Sequence, residues 1–330
     1  MQVRIRSVCW EADHIQGFRL EPLRGSSLPP FTAGAHIEVT LRPGLKRSYS
    51  LLNAPSQENA YEIGVQLDPE SRGGSRHIHE HWRAGQLVEI SAPRNLFPLK
   101  EDASHTVLIA GGIGITPMLS MVSRLQSLGQ SWELHYAVRS RDRAAFLERL
   151  EGLQNVRVTI ADESSTPRLD LREIINAAPV DSHVYCCGPS KMLTAFREHG
   201  GLLGERMHFE YFAADSEAAV DGGYRLRLER SGKTIQVAAG EPMLDALLGA
   251  GIDVGFACSE GVCGSCRIPV LGGVPDHRDQ FLTQAEKDSN TSVMPCCSGS
   301  HTPSLTLDLY GVSSRPQTRL TPGVAQAMLP

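Results

Sequence analysis

Positive charge is not in surplus: 32 Lys and Arg stand against 37 Asp and Glu, a formal balance of -5. The chain therefore lacks the basic field that gathers nucleic acid or an anionic membrane, and small molecules or another protein are the expected partners. No stretch is apolar and uncharged for the eighteen or so residues that a membrane-spanning helix needs. The opening residues MQVRIRSVCWEAD alternate polar and apolar instead of forming a signal core, so a cytoplasmic location is expected. No internal repeat is present. Cysteine is sparse over most of the length, yet five of eight fall between Cys258 and Cys297. Without a secretion signal, that concentration favours metal or redox chemistry over disulfides.

The 330 residues, 41% hydrophobic and 21% charged, suffice for two or three globular domains, and three are expected. Up to about Pro98 the sequence runs in short alternating segments, VRIRSV, HIEVTL, RSYSLL, YEIGVQL and QLVEISAP, broken by Gly, Pro and Asn. This predicts an antiparallel barrel over residues 1–102, with one helix in SRHIHEHWRAG. From TVLIAGG onward buried strands alternate with helical segments, including RAAFLERLEGL, LREIINAA and SKMLTAFREHG. Residues 103–213 should form a doubly wound α/β domain. A small acidic segment, 214–223, reads as a linker. Residues 224–312 predict a small α+β domain with a hairpin at Ser231 to Lys233, a helix begun by Pro242 and a capping box from Thr283 to Glu286. Residues 313–330 lack periodicity and read as a tail.

Cys258, Cys263 and Cys266 have C-x4-C-x2-C spacing, and Cys296 follows thirty residues later. That pattern suits a plant-type 2Fe-2S cluster: two bridged irons need four thiolates, three from a tight loop and one from elsewhere. Gly261, Gly264 and Ser265 leave room for backbone N–H groups to turn toward the sulfurs. Cys296 and its neighbour Cys297 compete for the fourth position, and Cys296 is expected to take it. A structural zinc is the alternative, although zinc sites more often pair two C-x2-C knuckles.

In AGGIGITPM, Gly111, Gly112 and Gly114 let backbone approach a ligand. Thr116 can cap the following helix and Pro117 suits its first turn, although G-x-G-x-x-P departs from the dinucleotide fingerprint. YCCGP closes a later strand at the edge where open α/β sheets bind ligands, with Cys186 pointing into the core. The end of the second α/β strand reads AVRSRDR, where Arg139, Ser140 and Arg141 could hold a 2′-phosphate. His77, His79, His81 and Glu80 cluster in RHIHEHW as a conceivable metal site or, more plainly, a solvated helix face.

CSEGVCGSC and PCCS make the last domain resemble a plant-type ferredoxin of the β-grasp class. With RSYS at 47–50, AGGIGITPM and YCCGP in the same order, nearly the whole chain resembles the phthalate dioxygenase reductase family. The resemblance implies an FMN-binding barrel, an NADH-binding domain with NADPH not excluded, a 2Fe-2S domain and a Rieske-type oxygenase as electron acceptor. It implies that Arg47 neutralises the flavin phosphate, that Ser48 belongs to the same motif, that Tyr49 packs on the rings and that Ser50 lies near N5. Gly73, Gly74 and Ser75 would add phosphate donors. Cys187, Gly188 and Pro189 would adjoin the nicotinamide, with Phe212 covering the flavin or the nicotinamide position. Ser50 and Cys187 are thus the expected reacting-centre residues. The competing classes are an iron-sulfur redox regulator and a zinc-stabilised interaction protein.

Overall fold

The computed structural model describes residues 1–42, 45–69, 73–162, 169–212, 218–256, 261–262 and 264–310. It forms two compact units, Met1–Asp215 and Ser216–Pro330.

The first unit begins with β1 (Gln2–Ala12), β2 (Ile15–Pro22), β3 (His36–Arg42), β4 (Leu45–Ser50), β5 (Tyr61–Gln66) and β6 (Leu87–Ile90). They pair antiparallel in the order β4-β3-β6-β1-β2-β5, and a bridge from Leu51 to Ile63 joins the two edges into a barrel. Closure removes the open edges that would otherwise template aggregation. Inside lie Ile5, Phe18, Ile37, Val39 and Ile63. Helix α1 (Gly74–His81) adds Ile78 to that core. Strand β2 is absent from the sequence expectations. Its alternation is interrupted by Gly17, where a Cβ would run into the Glu11 carboxylate.

The same unit holds a parallel sheet of β7 (Thr106–Gly111), β8 (Trp132–Val138), β9 (Val156–Ile160), β10 (His183–Cys187) and β11 (Met207–Glu210), in the order β11-β10-β7-β8-β9. All six residues of β7 are buried, as a strand covered by helices on both faces requires. The helices are α2 (Ile115–Leu128), α3 (Leu171–Ala177) and α4 (Ser190–His199). Gly129, left-handed at φ 66°, stops α2, and the Asp170 carboxylate caps α3 by accepting from Glu173 N–H at 3.0 Å.

The helix expected in RAAFLERLEGL does not form. Two 3-10 turns, Arg141–Arg143 and Leu147–Arg149, flank Phe146, which is left-handed at φ 61°. Ala144, Ala145 and Phe146 are buried in succession, which a regular helix face cannot achieve, and Phe146 lies against Gly64 of the barrel. Glu62 fastens the same junction, accepting from Arg19 at 2.7 Å and from Arg149 at 2.6 Å.

The second unit contains β12 (Tyr224–Leu228), β13 (Thr234–Val237), α5 (Met243–Gly249), β14 (Ile268–Gly272), β15 (Pro275–Asp276), α6 (Gln284–Ser289), β16 (Ser292–Val293), β17 (Gly299–Ser300) and β18 (Ser304–Leu307). Its main sheet runs β13-β12-β18-β14-β16, with the central β12–β18 pair parallel. Leu244 and Leu247 of α5 pack with Leu226, Val237 and Leu305, the helix-on-mixed-sheet arrangement of a β-grasp. The Thr283–Glu286 capping box is present at α6. Part of the expected linker belongs to this packing: Ala219 is buried and its N–H donates to Cys297 O at 2.7 Å. Residues 313–330 lie outside the described residues.

Candidate functional site

The parallel sheet reverses direction of growth between β7 and β10, so the crevice beyond their carboxyl ends is where an open α/β sheet receives a ligand. Both glycine motifs end there. Gly114 sits so close to the Cys187 carbonyl that any Cβ would collide with it, and glycine is the residue that permits this backbone approach. A cavity of about 440 Å³ opens over the junction. Gly111, Gly112, Gly114, Arg139, Gly188, Pro189 and Phe212 line it.

Thr116 and Pro117 do not line it. The N-cap of α2 is Gly114, and Thr116 is buried in the first turn, its hydroxyl donating to Ile113 O at 3.0 Å. The capping role expected for Thr116 is therefore corrected: its methyl group faces Gly64 of the barrel. Ser140 and Arg141 also stay outside the lining, whereas Arg143 joins it. Asp13, Gln66 and Met192 are further lining residues without a sequence signal.

Cys187 ends β10 with its side chain fully buried, paired in register with Glu210. Burial pushes its thiol far above the ordinary range, and the charges of Glu210 and Cys186 add to the effect. The group is a neutral thiol rather than a thiolate nucleophile. Cys186 is equally buried, as expected of a core position.

On the barrel, Arg47 and Tyr49 share the side of β3–β4 that carries Val39 and Ile37, while Ser48 and Ser50 share the other with Glu38 and His36. Arg47 crosses the start of α1 so closely that a Cβ on Gly74 would meet its Nε at 2.7 Å. Two separate motifs thereby converge on one helix N-terminus. Gly73, at φ 93°, turns the chain into that helix, and Ser75 Oγ accepts from Asp68 N–H at 3.1 Å. The buried Ser48 hydroxyl has no hydrogen-bond partner among the described residues. The Arg47 guanidinium at the start of α1 suits an anionic flavin group, while Ser48 presents its hydroxyl on the other face of β4. Ser50 is buried at the end of β4.

The histidines of α1 are otherwise engaged. His79 Nε2 lies 3.0 Å from Val65 O, His81 Nδ1 lies 3.0 Å from His77 O, and the His77 and His81 rings stack.

In the second unit, Cys266 and Cys296 are buried with their sulfurs 3.3 Å apart. That is well beyond a disulfide bond of about 2.05 Å and near the approach of two thiolates on one metal. Cys297 turns elsewhere, with Sγ 3.7 Å from Met294 O. Gly261 and Gly264 adopt φ 72° and 73°, and a Cβ on either would strike Cys297 Sγ or the Phe281 ring. These cradles and the thiol pair fit a sulfur-ligated cluster. Cys258 and Cys263 lie outside the described residues.

Comparison with known proteins matches residues 108–198 to the oxidoreductase NAD-binding domain and residues 226–299 to the 2Fe-2S iron-sulfur cluster binding domain. The chain is 49% identical over 311 residues to phenoxybenzoate dioxygenase subunit beta of Ectopseudomonas oleovorans, covering 94% of this chain and 97% of that protein. It is 44% identical over 306 residues to tetrachlorobenzoquinone reductase of Sphingobium chlorophenolicum, covering 90% and 94%. Among solved structures, phthalate dioxygenase reductase, described as modular for electron transfer from pyridine nucleotides to [2Fe-2S], matches at TM-score 0.79 and 36% identity over 94% of this chain and 98% of that one.

The chain belongs to the phthalate dioxygenase reductase family. It is an oxidoreductase that combines an NAD-binding domain with a 2Fe-2S domain. The nucleotide-domain match begins inside β7 and ends within α4, so it spans both glycine motifs of the crevice. The iron-sulfur match runs from β12 to β17 and contains all the clustered cysteines of this reductase. Among the described residues no helix is long and apolar enough to cross a membrane.

Proposed function

We propose that this reductase takes electrons from NADH and delivers them one at a time to a separate Rieske-type oxygenase component in the cytoplasm. A single observation carries the reading: nearly the full length is alike to a dioxygenase subunit, with nucleotide and iron-sulfur domains in one polypeptide. The barrel, residues 1–102, is the proposed FMN domain, residues 103–213 the nucleotide domain, and 224–312 the ferredoxin domain.

FMN, when bound, supplies the conversion of a two-electron hydride donor into the single electrons that a 2Fe-2S cluster takes. The chain's own residues provide binding and orientation. Arg47 balances the flavin phosphate and Gly73, Gly74 and Ser75 offer donors at the start of α1, whereas Ser48 offers its hydroxyl on the other face of β4. Tyr49 supplies a ring face and Ser50 a hydroxyl near the reacting edge. Gly111, Gly112, Gly114, Gly188 and Pro189 admit the nicotinamide nucleotide into the crevice, with Phe212 at its wall. Cys187 is fully buried and outside the cavity lining, so its part is to pack as a neutral group beneath the crevice, where its carbonyl abuts Gly114. Cys258, Cys263, Cys266 and Cys296 are the cluster ligands in this reading.

The test is anaerobic addition of NADH to the purified full chain, followed in the visible spectrum. Flavin and iron-sulfur absorbance should both bleach, and a one-electron acceptor should restore them. Bleaching of flavin alone would contradict the reading.

A further inference from the structure

The crevice carries two guanidinium groups, Arg139 immediately after β8 and Arg143 four residues further on. Both side chains are exposed, and neither is ion-paired among the described residues. In a dinucleotide-binding sheet, the end of the second strand meets the adenosine ribose. A carboxylate there takes the 2′-hydroxyl of NAD, whereas arginine accommodates a 2′-phosphate. Here β8 is that second strand, and its end supplies Arg139. Among the described residues of the lining the one carboxylate is Asp13, from the turn between β1 and β2, where its N–H donates to Asp142 O at 2.7 Å. Within the described lining two guanidinium groups stand against one carboxylate, with the exposed Asp142 and Asp162 on the adjoining turns outside it. A 2′-hydroxyl gains little from these guanidinium groups, but a phosphate dianion gains charge-assisted hydrogen bonds from a bidentate donor.

We propose that Arg139 and Arg143 form a subsite for the 2′-phosphate of NADPH, so that the reductase accepts NADPH alongside NADH. The inference rests on the nicotinamide crevice of the preceding section and adds its selectivity.

Calorimetric titration of the full-length holoprotein with adenosine 2′,5′-bisphosphate and with 5′-AMP isolates the one group at issue. The bisphosphate should bind about tenfold tighter at low salt, and the advantage should shrink toward unity as ionic strength rises. In Arg139→Ala/Arg143→Ala the advantage should vanish. Because the salt series needs only the wild-type chain, a variant that fails to fold does not remove the test. Equal affinities, or an advantage indifferent to salt, would overturn the subsite while leaving the crevice intact if 5′-AMP and NADH still bind. Loss of all three ligands would overturn the crevice reading together with it.

Discussion

Cys266 and Cys296 hold their sulfurs 3.3 Å apart across thirty residues of sequence, and Cys297, the very next residue, points its thiol away toward Met294 O. The two adjacent cysteines should therefore differ sharply on substitution. Cys296→Ser is expected to lose the iron-sulfur absorbance and most bound iron, whereas Cys297→Ser should retain both. Metal analysis of the two purified variants checks this, and equal iron in both would contradict it.

The approach of Arg47 to Gly74 makes the proposed phosphate site sensitive from either side. Removing a charge-assisted contact in Arg47→Ala costs about 1.5–3 kcal/mol, so flavin affinity should fall roughly ten- to a hundredfold. Gly74→Ala should weaken flavin binding in the same direction by displacing the guanidinium. Equilibrium dialysis of apoprotein against FMN measures both.

Gly114 faces the Cys187 carbonyl with no room for a side chain. Gly114→Ala should cost about 1–3 kcal/mol, the usual penalty for overpacking against backbone. A melting temperature lowered by several degrees, with pyridine-nucleotide binding weakened as well, is the expected result in calorimetry.

At the opposite edge of the sheet, His183 Nδ1 and His208 Nε2 lie 2.8 Å apart, and His208 stacks on Tyr185. Burial, with the neighbouring His183 and Lys100, holds His208 down to about 4. A depressed histidine stays neutral when folded but takes up a proton when unfolded. Its stabilisation is thus complete above about pH 6.5 and is lost as pH falls toward 4. After allowance for solvent screening this is worth about 1–2 kcal/mol. His208→Phe, which keeps a ring against Tyr185, should flatten the decline of melting temperature over that window. An unchanged slope would contradict the assignment.

Much of the site was legible because its parts are local. Three cluster cysteines fall within nine residues, and each glycine motif follows directly on a buried strand, so spacing and periodicity carried the chemistry. What escaped depends on tertiary packing. Asp13 and Gln66 reach the crevice from the barrel, and nothing in their neighbours marks them, while Arg143 closes the AVRSRDR stretch in which Arg141 is the expected partner of Arg139. The segment after β8 has helical spacing, yet Phe146 is drawn to the barrel at Gly64, and that contact prevails over local preference. Thr116 likewise looks like a cap until its position inside α2 is seen.

The central claim is that four thiolates of the second unit hold a 2Fe-2S cluster. Oxygen-protected full-length protein, assayed for iron, acid-labile sulfide and zinc, should contain about two irons and two sulfides per chain and negligible zinc. Zinc in place of iron, or an absence of labile sulfide, would contradict it.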